Sequence, residues 1–300
     1  MIDLKGLLVV LTTPFKAGDL DKDAFNLHIK MLEQYATGFV IGGTTGESGS
    51  LTDQEMYTLL QEARRTVPDK KLIAGFWRPT IQATMNCAKQ LAAHADALLV
   101  PIPQELFHSP DIEIEKFFTE LADNINSYII LYNFPARCEN RAISIELAKK
   151  LAANNKRIIG VKDSSETAQL VLDIVQQKVA LLPMLGNDRF LYQILNMLKN
   201  QSNQNRHFAS ISGASSYPKI AAIESQIYQL IEKGYYPAAE QLQNKLNNEF
   251  FDDWSRIAQQ LGGQSPIIKF LIHMQEAEYP IAVREPLLAI SEEISHQIKQ

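Results

Sequence analysis

Short runs of apolar, β-branched or Leu-rich residues recur along the first two thirds of the chain: LLVVL (7–11), GFVI (38–41), KLIAGF (71–76), ALLV (97–100), YIILY (128–132), IIGVK (158–162), ALLPML (180–185) and FASIS (208–212). Between them lie longer stretches with apolar residues at helical spacing behind an acid or a hydroxyl, as in DKDAFNLHIKMLEQY, TDQEMYTLLQEARRTV and SIELAKKLAANN. Strands apolar on both faces that alternate with helices predict a parallel sheet covered by helices. Eight such units fit a closed (β/α)8 TIM barrel better than an open doubly wound sheet, which has fewer strands and a nucleotide-type first turn. Near residue 225 the strand signals cease, and IYQLIEKGYYPAAEQLQNKLNNEFFDDWSRIAQQL followed by SPIIKFLIHMQEA reads as helices alone. The expected organisation is an α/β barrel carrying the active site over 1–225 and a C-terminal helical appendage over 226–300.

Composition narrows the setting. With 46% hydrophobic residues the chain can bury a large core, and no stretch approaches the ~18 continuous apolar residues of a membrane helix. Lys and Arg total 29 against 34 Asp and Glu, and no basic stripe is present to neutralise a phosphate backbone, so nucleic acid is not an expected partner. The segment MIDLKGLLVVLTTPF lacks the basic leader and cleavage site of a secretory signal, which makes a cytoplasmic location the expectation. Cys87 and Cys138 stand far apart with no CxxC and no clustered His, suggesting free thiols in a reducing compartment and no zinc site.

Barrels of this kind collect their chemistry at the carboxyl ends of the strands. Three ends stand out: GGTTGES (42–48) after the second strand, Tyr132 closing the fifth, and Lys162 closing the sixth. The glycine-rich loop lacks the GK[ST] of a P-loop and the GxGxxG spacing of a dinucleotide fold. Its backbone N–H groups and two hydroxyls suit a carboxylate as well as a phosphate. Tyr132 follows an apolar run, so its ring is expected near the barrel axis with the hydroxyl at the rim, where a phenol can pass protons. A lysine in an apolar barrel mouth is driven by desolvation toward the free amine, and a free amine attacks ketones. Each feature alone has an ordinary explanation in turn formation, packing or strand capping. Together they describe a Schiff-base site with an amine nucleophile, an adjacent phenol and a donor-rich loop for the carboxylate of an α-keto acid.

In these residues the chain resembles the class I pyruvate-dependent aldolases and lyases, the family of dihydrodipicolinate synthase, N-acetylneuraminate lyase and 2-keto-3-deoxygluconate aldolase. The matching stretches are GGTTGES, YNFPAR, GVKDSS, GND (186–188), ASISGASS and VREPLLAISEE (283–293), spread over almost the whole chain. The resemblance implies that Lys162 forms an imine with pyruvate and Tyr132 relays protons. It implies that Thr44 and Thr45 bind the pyruvate carboxylate, with Thr45 also linked to the phenol. Gly160 would keep room beside the imine, Ile211 would turn its backbone carbonyl toward the lysine, and Arg137 would hold an acidic aldehyde partner. No metal or organic cofactor is required, because the protonated imine is itself the electron sink. A homotetramer or homodimer is the implied assembly.

Two departures bear on the substrate. The segment VPIPQELFHSPD (100–111) has no tyrosine where family members carry a pair, and Cys138-Glu139 replaces the usual Thr-Gly after the arginine. Both count against dihydrodipicolinate synthase activity, whereas Arg137 and the double threonine count for it and against a neuraminate lyase. His108 could supply the lost proton carrier but reads more simply as a solvated loop residue. Asp163 points the opposite way from Lys162 and is expected to cap the next helix, and Asp188 and Glu47 are expected to hydrogen-bond structurally. The alternatives are a 2-keto-3-deoxy sugar acid aldolase or N-acetylneuraminate lyase-like enzyme, and, from another class, a non-catalytic keto-acid-binding paralogue. A sugar-phosphate isomerase would need a Glu base at a strand end, where this chain has a lysine.

Overall fold

A computed structural model of the protein describes residues 2–200 and 208–299. Among these, eight strands close into a parallel barrel: Gly6–Val10 (β1), Gly38–Gly42 (β2), Lys71–Gly75 (β3), Ala97–Pro101 (β4), Tyr128–Asn133 (β5), Ile158–Asp163 (β6), Leu182–Leu185 (β7) and Ala209–Ser212 (β8). Closure is made where β1 pairs with both β2 and β8, Leu8 standing opposite Gly38 on one side and Ile211 on the other. Each strand is close to the run predicted from its apolar residues, because a strand buried on both faces has no polar position to blur its limits.

The helices Lys22–Leu32 (α1), Asp53–Thr66 (α2), Ile81–Leu91 (α3), Asp111–Asn124 (α4), Ile145–Asn154 (α5), Gln169–Gln176 (α6), Leu191–Asn200 (α7) and Pro218–Glu232 (α8) alternate with the strands. Their starts are set locally. Thr52 and Glu55 form a reciprocal capping box on α2, and Asp21, Thr80 and Ser144 each accept a backbone N–H at the head of α1, α3 and α5. One apolar cluster fills the barrel interior, including Leu8, Val40, Ile73, Leu99, Ile130, Met184 and Ile211. A second, larger set lies between the strands and α1–α5. Each fully buried Leu or Ile contributes about 1.5 to 3 kcal/mol relative to exposure.

Beyond α8 the chain is helical: Tyr236–Leu246 (α9), Asp252–Leu261 (α10), Ser265–Gln275 (α11) and Glu292–Lys299 (α12). A π-helical turn over Asn247–Phe251 joins α9 to α10 and buries Phe250 and Phe251. These helices share one apolar cluster with the α6–α8 side of the barrel, where Ile220, Trp254, Ile267 and Tyr279 meet. The C-terminal helices therefore cover the carboxyl ends of the strands. Among the described residues no helix is long and apolar enough to cross a membrane.

Candidate active site

The register of β6 against β5 is irregular. Ile158 pairs with Ile129, but the next partner of β5, Ile130, faces Gly160, so β6 carries one extra residue at Ile159. Simple alternation from Ile158, which packs in the outer cluster, would turn Lys162 outward toward the helices. The bulge shifts the phase by one and brings Lys162 inward, opposite Tyr132. Its Nζ lies 3.4 Å from the Tyr132 hydroxyl and 4.5 Å from the ring centroid. Both residues are buried, and the Tyr132 ring stacks on Phe134.

These two side chains open onto a cavity of about 670 Å³ that is also lined by Thr44, Thr45, Arg137 and Asp188. Phe251 and Trp254, from the π turn and α10, form its far wall together with the Gly262–Gln264 turn. The GGTTGES loop begins with Gly42 in the left-handed region (φ 78), and a Cβ there would lie 2.3 Å from the Gly75 carbonyl oxygen. Glycine is required by both the conformation and the approach. The Thr44 hydroxyl is shut from solvent and has no hydrogen-bond partner in the protein, a donor left open beside the cavity. The Thr45 hydroxyl accepts from the Gln264 side-chain amide at 2.8 Å, and the Thr45 carbonyl accepts from Ser265 Oγ at 2.6 Å. The expected bond from Thr45 to the phenol is not formed here; the helical appendage supplies the partner instead.

Glu47, at the end of the same loop, has a left-handed backbone (φ 59) and forms a fully buried ion pair with Lys269 of α11. Burial drives both toward their neutral forms, pushing Glu47 up and Lys269 down to about 8 against their mutual attraction. Lys269 also donates to the Ala282 carbonyl at 2.7 Å and lies over the Phe15 ring. The sequence gives no sign of this second buried lysine, since its partner is more than 200 residues away. Lys269 is not among the residues lining the cavity.

The other sequence candidates are distributed as follows. Arg137 lines the cavity from a single 3-10 turn, Pro135–Arg137, and donates from Nη2 to the Gly262 carbonyl at 2.7 Å. The altered turn after it places Glu139 and Asn140 in the left-handed region, and Arg141 bonds Asp111 at 2.6 Å. Gly160 faces β7 and does not line the cavity; a Cβ there would meet the Leu182 carbonyl oxygen at 3.0 Å. Ile211 lies in the inner apolar cluster with Tyr132 and Met184. His108 is exposed and pairs with Glu139 at 2.9 Å. Asp163 is turned away from Lys162, accepting from Asn133, Ser165 and the Leu170 N–H at the start of α6. Burial raises Cys138 to about 12 and raises Cys87 as well, so neither is a ready nucleophile.

Asp188 is reached from β7 through Gly186, where a Cβ would meet Ser164 Oγ at 2.1 Å, Lys162 Cε at 2.7 Å and the Asp163 carbonyl oxygen at 3.0 Å, so the turn packs closely on the end of β6. Asp188 Oδ2 accepts from Ser212 Oγ at 2.8 Å, while Oδ1 is buried without a partner. Burial raises its carboxyl to about 6, offset in part by the Ser212 bond and the Lys162 charge. Among the described residues no group of three or more His, Cys, Asp and Glu could hold a metal.

The family model described as the Dihydrodipicolinate synthetase family matches residues 3–300. A 4-hydroxy-tetrahydrodipicolinate synthase of Campylobacter jejuni is 27% identical over 244 residues, covering 75% of this chain and 79% of that protein. Two solved structures superpose on 99% of the chain and 96% of their own length. They are dihydrodipicolinate synthase from Aquifex aeolicus (TM-score 0.83, 22% identity) and the Escherichia coli K12 prophage protein YagE in complex with pyruvate (TM-score 0.86, 20% identity). At such identities the structural likeness speaks for the fold.

Proposed function

The chain belongs to the dihydrodipicolinate synthetase family of class I pyruvate-dependent lyases and aldolases, and from that premise we propose that it forms a Schiff base between Lys162 and pyruvate. In this reading Lys162 Nζ attacks the ketone carbon of pyruvate, Tyr132 moves protons to and from the reacting oxygen, and Thr44 and Thr45 hold the pyruvate carboxylate. The resulting enamine attacks an aldehyde, or is released when a longer 2-oxo acid is cleaved. The reaction proposed is that of a 4-hydroxy-tetrahydrodipicolinate synthase, with aspartate semialdehyde as the partner and Arg137 reading its carboxylate. Gly160 keeps room beside the imine, and Ile211 turns its backbone carbonyl toward Lys162.

The observation that carries this reading is the facing pair Lys162 and Tyr132, 3.4 Å apart in a cavity also lined by Thr44, whose buried hydroxyl has no partner in the protein. An amine held against a phenol at the wall of the cavity has the two groups imine formation needs. Pyruvate plus borohydride should leave a stable adduct on Lys162, located by peptide mapping. Label on Lys269 instead, or none at saturating pyruvate, would reject the assignment.

A second reading, cleavage of a 2-keto-3-deoxy sugar acid, is favoured by one observation: Arg137 is already engaged by the Gly262 carbonyl. Rates on a panel of aldehydes with pyruvate, set against cleavage of such sugar acids and of sialic acid, distinguish the two. A cytoplasmic location and assembly as a homodimer or homotetramer belong to the same proposal.

A further inference from the structure

A line of buried polar groups runs from the cavity into the layer between barrel and helices. Asp188 Oδ2 accepts from Ser212 Oγ at 2.8 Å, and Ser212 Oγ lies 3.4 Å from Glu224 Oε1 on α8. Glu224 is fully buried, and its Oε2 accepts from Ser215 Oγ at 2.6 Å. The Ser215 N–H donates to Ser212 Oγ at 2.9 Å.

The lengths of these contacts favour one order of protons along the chain, because Ser212 is closer to Asp188, at 2.8 Å, than to Glu224, at 3.4 Å. Ser212 has one proton, and when the shorter contact to Asp188 takes it, the longer contact with Glu224 is made by a proton on Glu224. That order calls for the acid form of Glu224, and its complete burial and the like charge of Asp188 both raise its carboxyl well above the ordinary range. The resulting order is Glu224 Oε1–H to Ser212 Oγ, then Ser212 Oγ–H to Asp188 Oδ2. The other oxygen of Asp188, Oδ1, is buried without a partner, and Asp188 lines the same cavity as Lys162 without pairing with it directly. The remaining groups that act on Asp188 are the Lys162 charge, the Ala214 N–H and the buried Tyr228, whose hydroxyl bonds Ser210. Arg189, the next residue, also lines the cavity, lies over the Phe251 ring and pairs with Asp252 at 2.6 Å.

We propose that Asp188 is a second acid–base group of this active site, served through Ser212 by a proton held on the buried Glu224. The inference rests on the Schiff-base reading of Lys162. The Lys162 ammonium, which forms no direct ion pair with Asp188, gives one proton to Asp188 Oδ1 through a water in the cavity they share. The freed nitrogen lone pair forms the C–N bond to the ketone carbon, and a proton passes from nitrogen to the former carbonyl oxygen. The acid at 188 then protonates that hydroxyl, the C–O bond breaks, water leaves, and the nitrogen lone pair closes the C=N bond as a protonated imine. Asp188 ends as the carboxylate it began as. The Glu224 proton, shifted through Ser212, keeps Asp188 supplied when that step runs ahead of the lysine's release, and the lysine's proton refills Glu224. Asp188 is thus a catalytic residue, and Ser212 and Glu224 are positioning residues that act through it.

The test is the single-turnover rate of imine formation, read by borohydride trapping of pyruvate across pH 5 to 9 and in mixtures of H2O and D2O. The wild-type rate should rise through an inflection near pH 6 and show a curved proton inventory, as two protons move together. Asp188→Asn should lower the rate by at least about a hundredfold and remove the inflection. Glu224→Gln keeps shape and neutrality but has no proton to pass; it should lower the rate about tenfold and make the inventory linear. Ser212→Ala, which breaks the bridge, should lose as much as Glu224→Gln, with no further loss in the double variant. Wild-type rate and curvature in Glu224→Gln and Ser212→Ala would remove the relay, and an unchanged inflection in Asp188→Asn would remove the acid–base role. Trapping that works normally in all three variants overturns this inference alone, whereas absence of trapping in the wild type overturns the Schiff-base reading and this inference with it.

Discussion

Tyr132 and Lys162 are direct partners across adjoining parallel strands, and they face each other only because β6 carries an extra residue at Ile159. Backbone pairing thus turns both side chains to the barrel interior, where the amine meets the phenol at 3.4 Å. Tyr132→Phe should keep the cavity's shape and the binding of pyruvate while turnover falls by about 10²- to 10⁴-fold, the usual contribution of a general acid–base group. Steady-state kinetics beside a pyruvate-binding measurement decides it: full activity would leave Tyr132 as packing.

That pair also marks how far the sequence could be read. The eight strands were legible because each is an unbroken apolar run between amphipathic helices. Lys162, Tyr132 and GGTTGES were legible as strand ends, where a barrel puts its chemistry. The bulge was not, since Ile158, Ile159 and Gly160 look like any buried strand, and the phase change exists only in pairing with β5. Nor were Gln264 on Thr45, Lys269 on Glu47 and Glu224 near Ser212, because each joins a barrel loop or strand to a helix distant in sequence or hidden in the apolar pattern. The short helix α12 was missed as well: its apolar positions Ile294 and Ile298 give a single helical repeat.

The Glu47–Lys269 pair fixes the end of the GGTTGES loop to α11, and neither charge has water to turn to. Removing one partner strands the other, so Lys269→Met should cost about 3 to 5 kcal/mol in chemical denaturation. The double variant Glu47→Leu, Lys269→Met should recover most of that loss. Additive costs in the double variant would show that the two residues contribute independently.

His28 on α1 lies beneath the C-terminal helices. Nε2 contacts the Ser216 carbonyl at 2.7 Å and Nδ1 faces the hydroxyls of Thr12 and Tyr279. Burial lowers it from 6.5 to about 4, and the nearby Lys269 charge acts in the same direction. A depressed value means the fold holds the neutral ring, so the full stabilisation is present above pH 6.5 and is lost as pH falls toward 4. The loss amounts to about 3 kcal/mol over that window. His28→Gln should flatten this part of the acid limb in denaturation measured at several pH values. An identical slope in the variant would assign the acid sensitivity to other groups.

The second substrate is where the observations pull apart. Arg137 lines the cavity, and a guanidinium suits a carboxylate-bearing aldehyde through its paired donors, a geometry lysine cannot reproduce. One of its nitrogens is held at 2.7 Å by the Gly262 carbonyl, which aims the group and ties it to the turn between α10 and α11. Arg137→Ala should raise KM for aspartate semialdehyde about ten- to a hundredfold, the equivalent of roughly 1.5 to 3 kcal/mol for a charged hydrogen bond. Trapping of pyruvate on Lys162 should be unaffected, since that carboxylate is assigned to Thr44 and Thr45. Arg137→Lys should restore only part of the loss, because it returns the charge without the fork. If Arg137→Ala abolishes pyruvate trapping instead, the two carboxylates have been assigned in reverse. If a neutral sugar acid is cleaved equally well with and without the arginine, the aldolase reading replaces the synthase one, and the guanidinium serves mainly to hold the Gly262 turn over the cavity.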